Sequence, residues 1–364
     1  MPDKKIIIGG GGTGGHVFPA ISIAQALRKK SPGIRILFVG AQNKLEMEKV
    51  PDAGFEIEGL PVSGFQRRLS WKNVVFFLNL WQSMRKSAKI IRDFQPDLAV
   101  GVGGYASGPI LRAAASRNVP IVLQEQNSYA GVTNRLLAKK AKKIFVAYEG
   151  MEKYFPGDRI LLTGNPVRSD ILDTAEKKEE GFRLFGIKPG KAVVLVIGGS
   201  LGAGTINRSI MKGLNLFGED VQLIWQTGKY YYDEMREATR ERAGENVSLY
   251  PFIGNMDYAF SVADVIISRA GAGTISELAL VGKPVILVPS PNVAEDHQTK
   301  NAMALVKKNA ALHIRDKDAE TELVSTCISL LEDKGLRQEL SENISKLALP
   351  DSADHIADEI LKMI

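Results

Sequence analysis

Lys4-Lys5-Ile6-Ile7-Ile8-Gly9-Gly10-Gly11-Gly12-Thr13-Gly14-Gly15-His16-Val17-Phe18-Pro19 is the stretch that decides the fold. A short β-branched run reads as a buried strand, and the glycines after it let the backbone turn sharply and approach another molecule. Ala20 to Lys30 carries apolar residues at Ile21, Ile23, Ala24, Ala26 and Leu27 and reads as the next helix. Strand, glycine loop and helix start make an anion site, because free N–H groups and the helix dipole converge on the loop. Gly10-x-Gly12-x-x-Gly15 also fits the dinucleotide fingerprint, but that pattern wants an acid about 20 residues on, closing the second strand. The second strand, Ile34 to Val39, ends in Gly40-Ala41-Gln42-Asn43, with no acid. No Gly-Lys-Ser/Thr follows the loop either, which excludes a triphosphate P-loop. A tight turn without a ligand is the plain alternative, yet nothing in a turn calls for the imidazole of His16.

Working outward, strand and helix patterns alternate along the chain, which argues for α/β architecture with doubly wound parallel sheets. The second half repeats the plan of the first. Ala192 to Ile197 followed by Gly198-Gly199-Ser200-Leu201-Gly202-Ala203-Gly204 echoes the opening strand and loop. Val221 to Gly228 echoes the second strand, again without a terminal acid. Pro96 to Tyr105 has its counterpart in Ala263 to Gly273, and Val119 to Leu123 in Lys283 to Val288. We therefore expect two Rossmann-like domains, 1–165 and 166–350, joined at Gly164-Asn165-Pro166-Val167-Arg168. Residues 351–364 have an amphipathic helical pattern and are expected to return to the first domain. Ligands of open α/β sheets bind at the carboxyl ends of the strands, so a cleft between the domains is the expected site.

The 364 residues exceed one ordinary core, and 45% hydrophobic with 24% charged residues is the balance of a globular protein. The net charge of +6 favours an acidic partner. The single cysteine, Cys327, excludes an intrachain disulfide and suits a reducing cytoplasm. Ile6-Ile7-Ile8 is too short for a signal-peptide core, and no apolar run approaches the roughly 20 residues of a membrane span.

Four further stretches carry chemistry. In Ser268-Arg269-Ala270-Gly271-Ala272-Gly273-Thr274-Ile275-Ser276-Glu277-Leu278, small residues open a backbone path to a ligand, and Glu277 can accept from a ribose diol. Thr274-x-x-Glu277 is equally a capping box that serves only its own helix. Glu295-Asp296-His297-Gln298-Thr299-Lys300-Asn301 suits sugar hydroxyls or a solvated helix start. Gln124-Glu125-Gln126-Asn127 adds polar groups after a strand. Tyr250-Pro251-Phe252-Ile253-Gly254-Asn255-Met256 fits a flat base or a strand end packed in the core.

Taken in order, residues 11–19, 103–109, 125–127, 164–168, 198–203, 276–278 and 296–302 resemble glycosyltransferase family 28. Within it they resemble the bacterial enzymes that add N-acetylglucosamine to lipid I and so make lipid II for peptidoglycan. The resemblance spans nearly the whole chain. It implies the GT-B fold, UDP-GlcNAc held mainly by the C-terminal domain, and no required cofactor. Carried over by position, Ser200 and Arg168 belong near the diphosphate. Phe252 and Ile253 belong at the uracil, and Glu277 at the ribose. Ala272, Gly273 and Thr274 line the phosphate path, and Gln298 meets the sugar. Thr13, Gly14, Gly15 and Asn127 complete the sugar pocket from the first domain. Gly12, His16, Gly103, Gly104 and Tyr105 are expected at the acceptor pyrophosphate. Gln124 stands where many members carry histidine, and no role is assigned to it.

The implied reaction is an inverting, single-step displacement of UDP by the C4 hydroxyl of MurNAc. It needs a base and positive character at the departing diphosphate. His16, Asn127 and Glu125 are the catalytic candidates; His16 is either the base or a hydrogen-bond donor to lipid pyrophosphate. The only Asp-x-Asp, Asp316-Lys317-Asp318, lies in a charged stretch, and the four histidines lack ligand spacing, so no metal is expected. A UDP-sugar 2-epimerase, a diacylglycerol glycosyltransferase and a non-enzymatic nucleotide sensor at the membrane are the competing functions. Residues 65–92 are apolar around Val74 to Trp81. Trp71, Lys72, Val75, Phe77, Leu78, Trp81 and Arg85 are expected to dock on anionic phospholipid at the cytoplasmic membrane face, with Lys139, Lys140, Lys142 and Lys143 joining if the fold brings them near. A core helix with a basic flank is the alternative. Other partners implied are proteins of wall synthesis and division, and no nucleic acid.

Overall fold

The computed structural model describes residues 4–62, 71–167, 177–188, 190–199, 201–240, 246–293 and 296–364, with backbone only for 71–75. Contacts divide the chain into two compact units, Met1–Val167 with Leu349–Ile364, and Arg168–Ala348.

Among the described residues unit 1 holds seven strands: β1 (Lys5–Gly10), β2 (Arg35–Ala41), β3 (Glu56–Leu60), β4 (Leu98–Gly103), β5 (Ile121–Glu125), β6 (Lys143–Val146) and β7 (Ile160–Leu162). They pair in parallel in the order β3-β2-β1-β4-β5-β6-β7. Its helices are α1 (Gly14–Lys30), α2 (Glu46–Asp52), α3 (Trp71–Phe94), α4 (Ser107–Ala115) and α5 (Val132–Leu137). Unit 2 has β8 (Ala192–Ile197), β9 (Val221–Gln226), β10 (Val247–Tyr250), β11 (Val265–Ser268), β12 (Val285–Leu287) and β13 (Leu312–His313), ordered β10-β9-β8-β11-β12-β13. Its helices are α6 (Lys178–Leu184), α7 (Gly204–Gly213), α8 (Tyr232–Thr239), α9 (Met256–Val262), α10 (Ala272–Val281), α11 (His297–Val306), α12 (Ala319–Glu332) and α13 (Lys334–Ser345). The internal echo is thus one strand order used twice. In each sheet the order reverses beside the first strand, β1 next to β4 and β8 next to β11, and ligands of such sheets bind at that reversal.

β1 is sandwiched. Ile6 and Ile8 pack with Val17, Ile21 and Ala24 of α1, while Ile7 faces Ile110 and Leu111 of α4. A strand buried on both faces reads as a continuous apolar run rather than an alternation. The last helix, α14 (Ser352–Leu361), belongs to unit 1: Ile356 and Ile360 join the α1 side of that core, and Asp358 pairs with Lys30 at 2.9 Å. In unit 2 the corresponding core holds Val194, Val196, Trp225, Ile206 and Cys327. Burial pushes the Cys327 thiol up to about 12, which makes it inert.

α3 runs antiparallel to the strands. Phe94 at its end lies under Lys5 and Arg35, which open β1 and β2, at 5.9 and 5.7 Å. Lys86, two turns earlier, donates to Gly59 O at 2.9 Å and pairs with Glu58 at 2.7 Å, near the end of β3. The apolar first half of α3 therefore lies at the carboxyl edge of the sheet. Lys143 opens β6 and Lys139 and Lys140 precede it, so the lysine cluster sits at the amino edge and does not join that surface. Among the described residues, no helix is long and apolar enough to cross a membrane.

Candidate functional site

In unit 1 the glycine loop closes on the loop after β4. Gly11 N donates to Gly103 O at 3.3 Å, and a Cβ on Gly104 would stand 2.2 Å from Gly11 O. Gly12, Gly103 and Gly104 have φ of +92°, +93° and +84°, which other residues rarely adopt. The helix begins at Gly14, six residues before the periodic apolar face, with Thr13 extended at its N-cap. Gly14, Gly15 and His16 thus form the first turn; Thr13 makes no side-chain cap, and the His16 amide donates to Thr13 O at 3.1 Å. Pro19 is tolerated inside α1 at the loss of one hydrogen bond.

His16 lies on the β4 loop. A Cβ on Gly103 would sit 2.9 Å from His16 Cδ2 and Nε2 and 3.9 Å from Asn134 Nδ2, so only glycine admits the ring there. His16 Nδ1 and Thr13 Oγ1 are 3.1 Å apart. If Thr13 donates, Nε2 carries the proton and is a donor; if Nδ1–H donates, Nε2 presents a lone pair. Tyr105 is exposed beside this loop.

Glu125 ends β5 and is 2% exposed. It accepts from Gly131 N at 3.0 Å, Asn134 Nδ2 at 2.9 Å, Asn127 N at 3.2 Å and Asn127 Nδ2 at 3.3 Å. Burial raises its carboxyl above the usual range, against those four donors. Glu125 thereby fixes the loop that carries Asn127 and stands behind it. Gln124 joins Asn165 at 3.0 Å and accepts from Gln126, a buried amide net that explains a glutamine at this position.

Sequence reasoning missed Glu46 entirely. This carboxylate is 1% exposed at the start of α2, and it accepts from Ala41 N at 2.8 Å and Gly12 N at 2.9 Å. It would collide with any Cβ on Gly11. It holds the glycine loop open, and nothing in its local pattern advertises the task.

In unit 2, α10 opens with Gly271 as N-cap and no side-chain cap. Thr274 lies inside the first turn, so Thr274-x-x-Glu277 is not a capping box. Among the described residues a Cβ on Gly273 would meet nothing within 4 Å, which leaves the backbone there open to a ligand. Gln226, at the end of β9, was also missed: it donates to Gly199 O at 3.1 Å and accepts from Ile253 N at 2.9 Å. It ties the second glycine loop to the turn carrying Phe252, which is 52% exposed, and the buried Ile253. Gln298 on α11 accepts from Ser290 N at 2.8 Å, which leaves its amide NH₂ to donate. Ser200 and Arg168 lie outside the described residues. The acids of the Asp-x-Asp are engaged by arginines, Asp316 by Arg269 and Asp318 by Arg315. Among the described residues no cluster of three His, Cys, Asp or Glu could hold a metal.

The family model described as glycosyltransferase family 28 N-terminal domain matches residues 6–146, and the C-terminal domain model of that family matches 193–356. A UDP-N-acetylglucosamine–N-acetylmuramyl-(pentapeptide) pyrophosphoryl-undecaprenol N-acetylglucosamine transferase of Parabacteroides distasonis is 60% identical, covering 100% of this chain and 99% of that protein. The protein of the same name in Bacteroides fragilis is 55% identical over 99% of this chain and 95% of its own length. Among solved structures, MurG of Acinetobacter baumannii superposes with a TM-score of 0.80 at 28% identity, over 99% of this chain and 100% of that one. A UDP-GlcNAc 2-epimerase of Neisseria meningitidis reaches a TM-score of 0.67 at 15% identity, over 99% of this chain and 100% of its own; it shares the fold.

Proposed function

The chain belongs to glycosyltransferase family 28, and from that premise we propose that it moves N-acetylglucosamine from UDP-GlcNAc to the C4 hydroxyl of MurNAc in lipid I, forming lipid II. The observation that carries this is the end-to-end 60% identity to a transferase of that name. It is a hexosyltransferase of the GT-B fold.

Unit 2 takes the donor. The backbone at the start of α10, Ala272, Gly273 and Thr274, faces the diphosphate, and Ser200 and Arg168 assist. The developing negative charge on departing UDP is met by fixed N–H dipoles without metal. Glu277 accepts from the ribose diol, Phe252 and Ile253 border the uracil, and the Gln298 amide donates to the sugar. Unit 1 takes the acceptor. Gly12, Gly103, Gly104 and Tyr105 surround its pyrophosphate; Thr13, Gly14, Gly15 and Asn127 reach the transferred sugar. His16 is the base in the Nδ1–H tautomer, with Thr13 accepting. Glu125 acts through Asn127 as a positioning residue. The enzyme works peripherally at the cytoplasmic face of the membrane, through Phe77, Leu78, Trp81 and Arg85, with Trp71, Lys72 and Val75 in the same segment.

Labelled UDP-GlcNAc incubated with a lipid I analogue tests the assignment, and lipid II is the expected product. UDP-ManNAc would indicate an epimerase, glycosylated diacylglycerol a different transferase, and binding without turnover a sensor. Glu277→Ala tests the donor half. It should weaken UDP-GlcNAc binding about 10-fold or more, as expected for lost hydrogen bonds to a charged group. Its melting temperature should scarcely move, because Gly271 and not Thr274 caps the helix. A variant that melts early but binds normally would return Glu277 to a structural role.

A further inference from the structure

One ion pair of unit 2 has no part in the donor contacts above. Arg269 leaves β11 and turns inward, its Nη1 donating to Asp316 Oδ1 at 2.5 Å and to Val288 O at 2.9 Å. The two side chains are only 15% and 19% exposed. The other oxygen of Asp316 accepts from Thr205 Oγ1 at 2.9 Å, in the first turn of α7. One carboxylate thus fastens the loop before α10 to the helix that follows the β8 glycine loop. Those are the two anion loops of this sheet, one on each side of the reversal in strand order. Both are rich in glycine, and their own backbones do little to fix the distance between them. Asp316 itself begins a single 3₁₀ turn, Asp316–Asp318, after β13, so its position is set by a third strand.

We propose that Asp316 is a positioning residue that sets the spacing of the two loops gripping the donor diphosphate. The proposal rests on the assignment of UDP-GlcNAc to unit 2. Two sets of N–H groups bind one diphosphate tightly only if their separation is fixed beforehand, since any ordering left to the ligand is subtracted from its affinity. Asp316 also balances the Arg269 charge within this half-buried site, so removing it frees the guanidinium as well as the loop.

Calorimetric titration of UDP into Asp316→Asn, Asp316→Ala and Thr205→Val, alongside donor and acceptor KM, tests this directly. Both Asp316 variants should bind UDP about tenfold or more weakly, the scale of a lost hydrogen bond to a charged group. Donor KM should rise with them and acceptor KM should not. Thr205→Val should have a smaller effect, and adding it to Asp316→Ala should cost nothing more, because both act through one carboxylate. A merely structural residue would lower the melting temperature and leave the UDP affinity of the folded protein unchanged; that result overturns the proposal. If Asp316→Ala fails to fold, the UDP affinity of Asp316→Asn, which keeps the shape and an acceptor for Thr205, decides in its place. Wild-type protein that binds no UDP would overturn the donor assignment itself, and the proposal with it.

Discussion

His16 stands against the loop after β4 because three local choices agree. Gly103 has no side chain to exclude the ring, Thr13 Oγ1 lies 3.1 Å from Nδ1, and the first turn of α1 carries the residue to the β4 loop. The tautomer then separates its two possible tasks. A proton on Nδ1 leaves Nε2 free to take one from the C4 hydroxyl, and a proton on Nε2 makes it a donor to pyrophosphate. His16→Ala should lower turnover by about 10²–10⁴-fold, the usual worth of a general base, with UDP affinity unchanged if unit 2 takes UDP as proposed. A steady-state series over acceptor concentration reads the difference. Loss confined to acceptor KM would assign His16 to pyrophosphate, and a normal rate would remove it from the chemistry.

At the scale of elements, Glu46 joins the end of β2 to the glycine loop after β1 through two backbone amides. Glu46→Ala would leave the buried Ala41 N–H without its acceptor, at about 1–3 kcal/mol, and would also release the more exposed Gly12 N–H, which water can reach. Thermal unfolding should show an early transition for this variant, and acceptor KM should rise because Gly12 loses its anchor. Unchanged melting and KM would mean that water replaces the carboxylate and the loop is held elsewhere. Glu46 also marks where sequence stops being legible. The strands announce themselves because β-branched runs such as Ile6-Ile7-Ile8 and Val193 to Ile197 end in glycine, and the pattern recurs in the second half. That the two sheets share one plan follows from that repetition, whereas the strand order itself comes from the structure. The start of α1 did not follow, because periodicity begins only at Ala20, whereas helical geometry begins where Thr13 and two glycines permit it. Thr274-x-x-Glu277 misled for a related reason: a capping box is defined by where the helix starts, and Gly271 had already started it. Glu46, Gln226 and Asp316 act on partners 34, 27 and 47 residues away, contacts that no local spacing encodes.

For the molecule as a whole, the remaining question is where a net charge of +6 is spent. In unit 1 two groups of described cations, Arg85 with Lys86 and the lysines within 139–143, fall on opposite edges of the sheet. At the carboxyl edge Phe77, Leu78 and Trp81 are 62%, 56% and 57% exposed, and Arg85 stacks on Trp81 at 4.7 Å. Three large apolar side chains left in water next to a basic residue are unusual for a core helix and suit a lipid surface. Each contributes about 1.5–3 kcal/mol if fully buried, and each nearby cation about 1 kcal/mol on anionic lipid. That suffices for reversible attachment. At the amino edge, Lys140 and Lys142 border a groove of about 770 Å³ lined by Ala115, Val119, Pro120 and Met363, with no aromatic side chain to insert. The two edges therefore make opposite forecasts in one liposome co-sedimentation assay. Wild-type protein should sediment with anionic vesicles and less so as salt rises. Phe77→Ser with Trp81→Ser should abolish most of this, and Lys140→Glu with Lys142→Glu should leave most of it. If the folded aromatic variant sediments like wild type, α3 does not enter the bilayer; if the lysine variant alone detaches, attachment is electrostatic and runs through the opposite edge of the sheet.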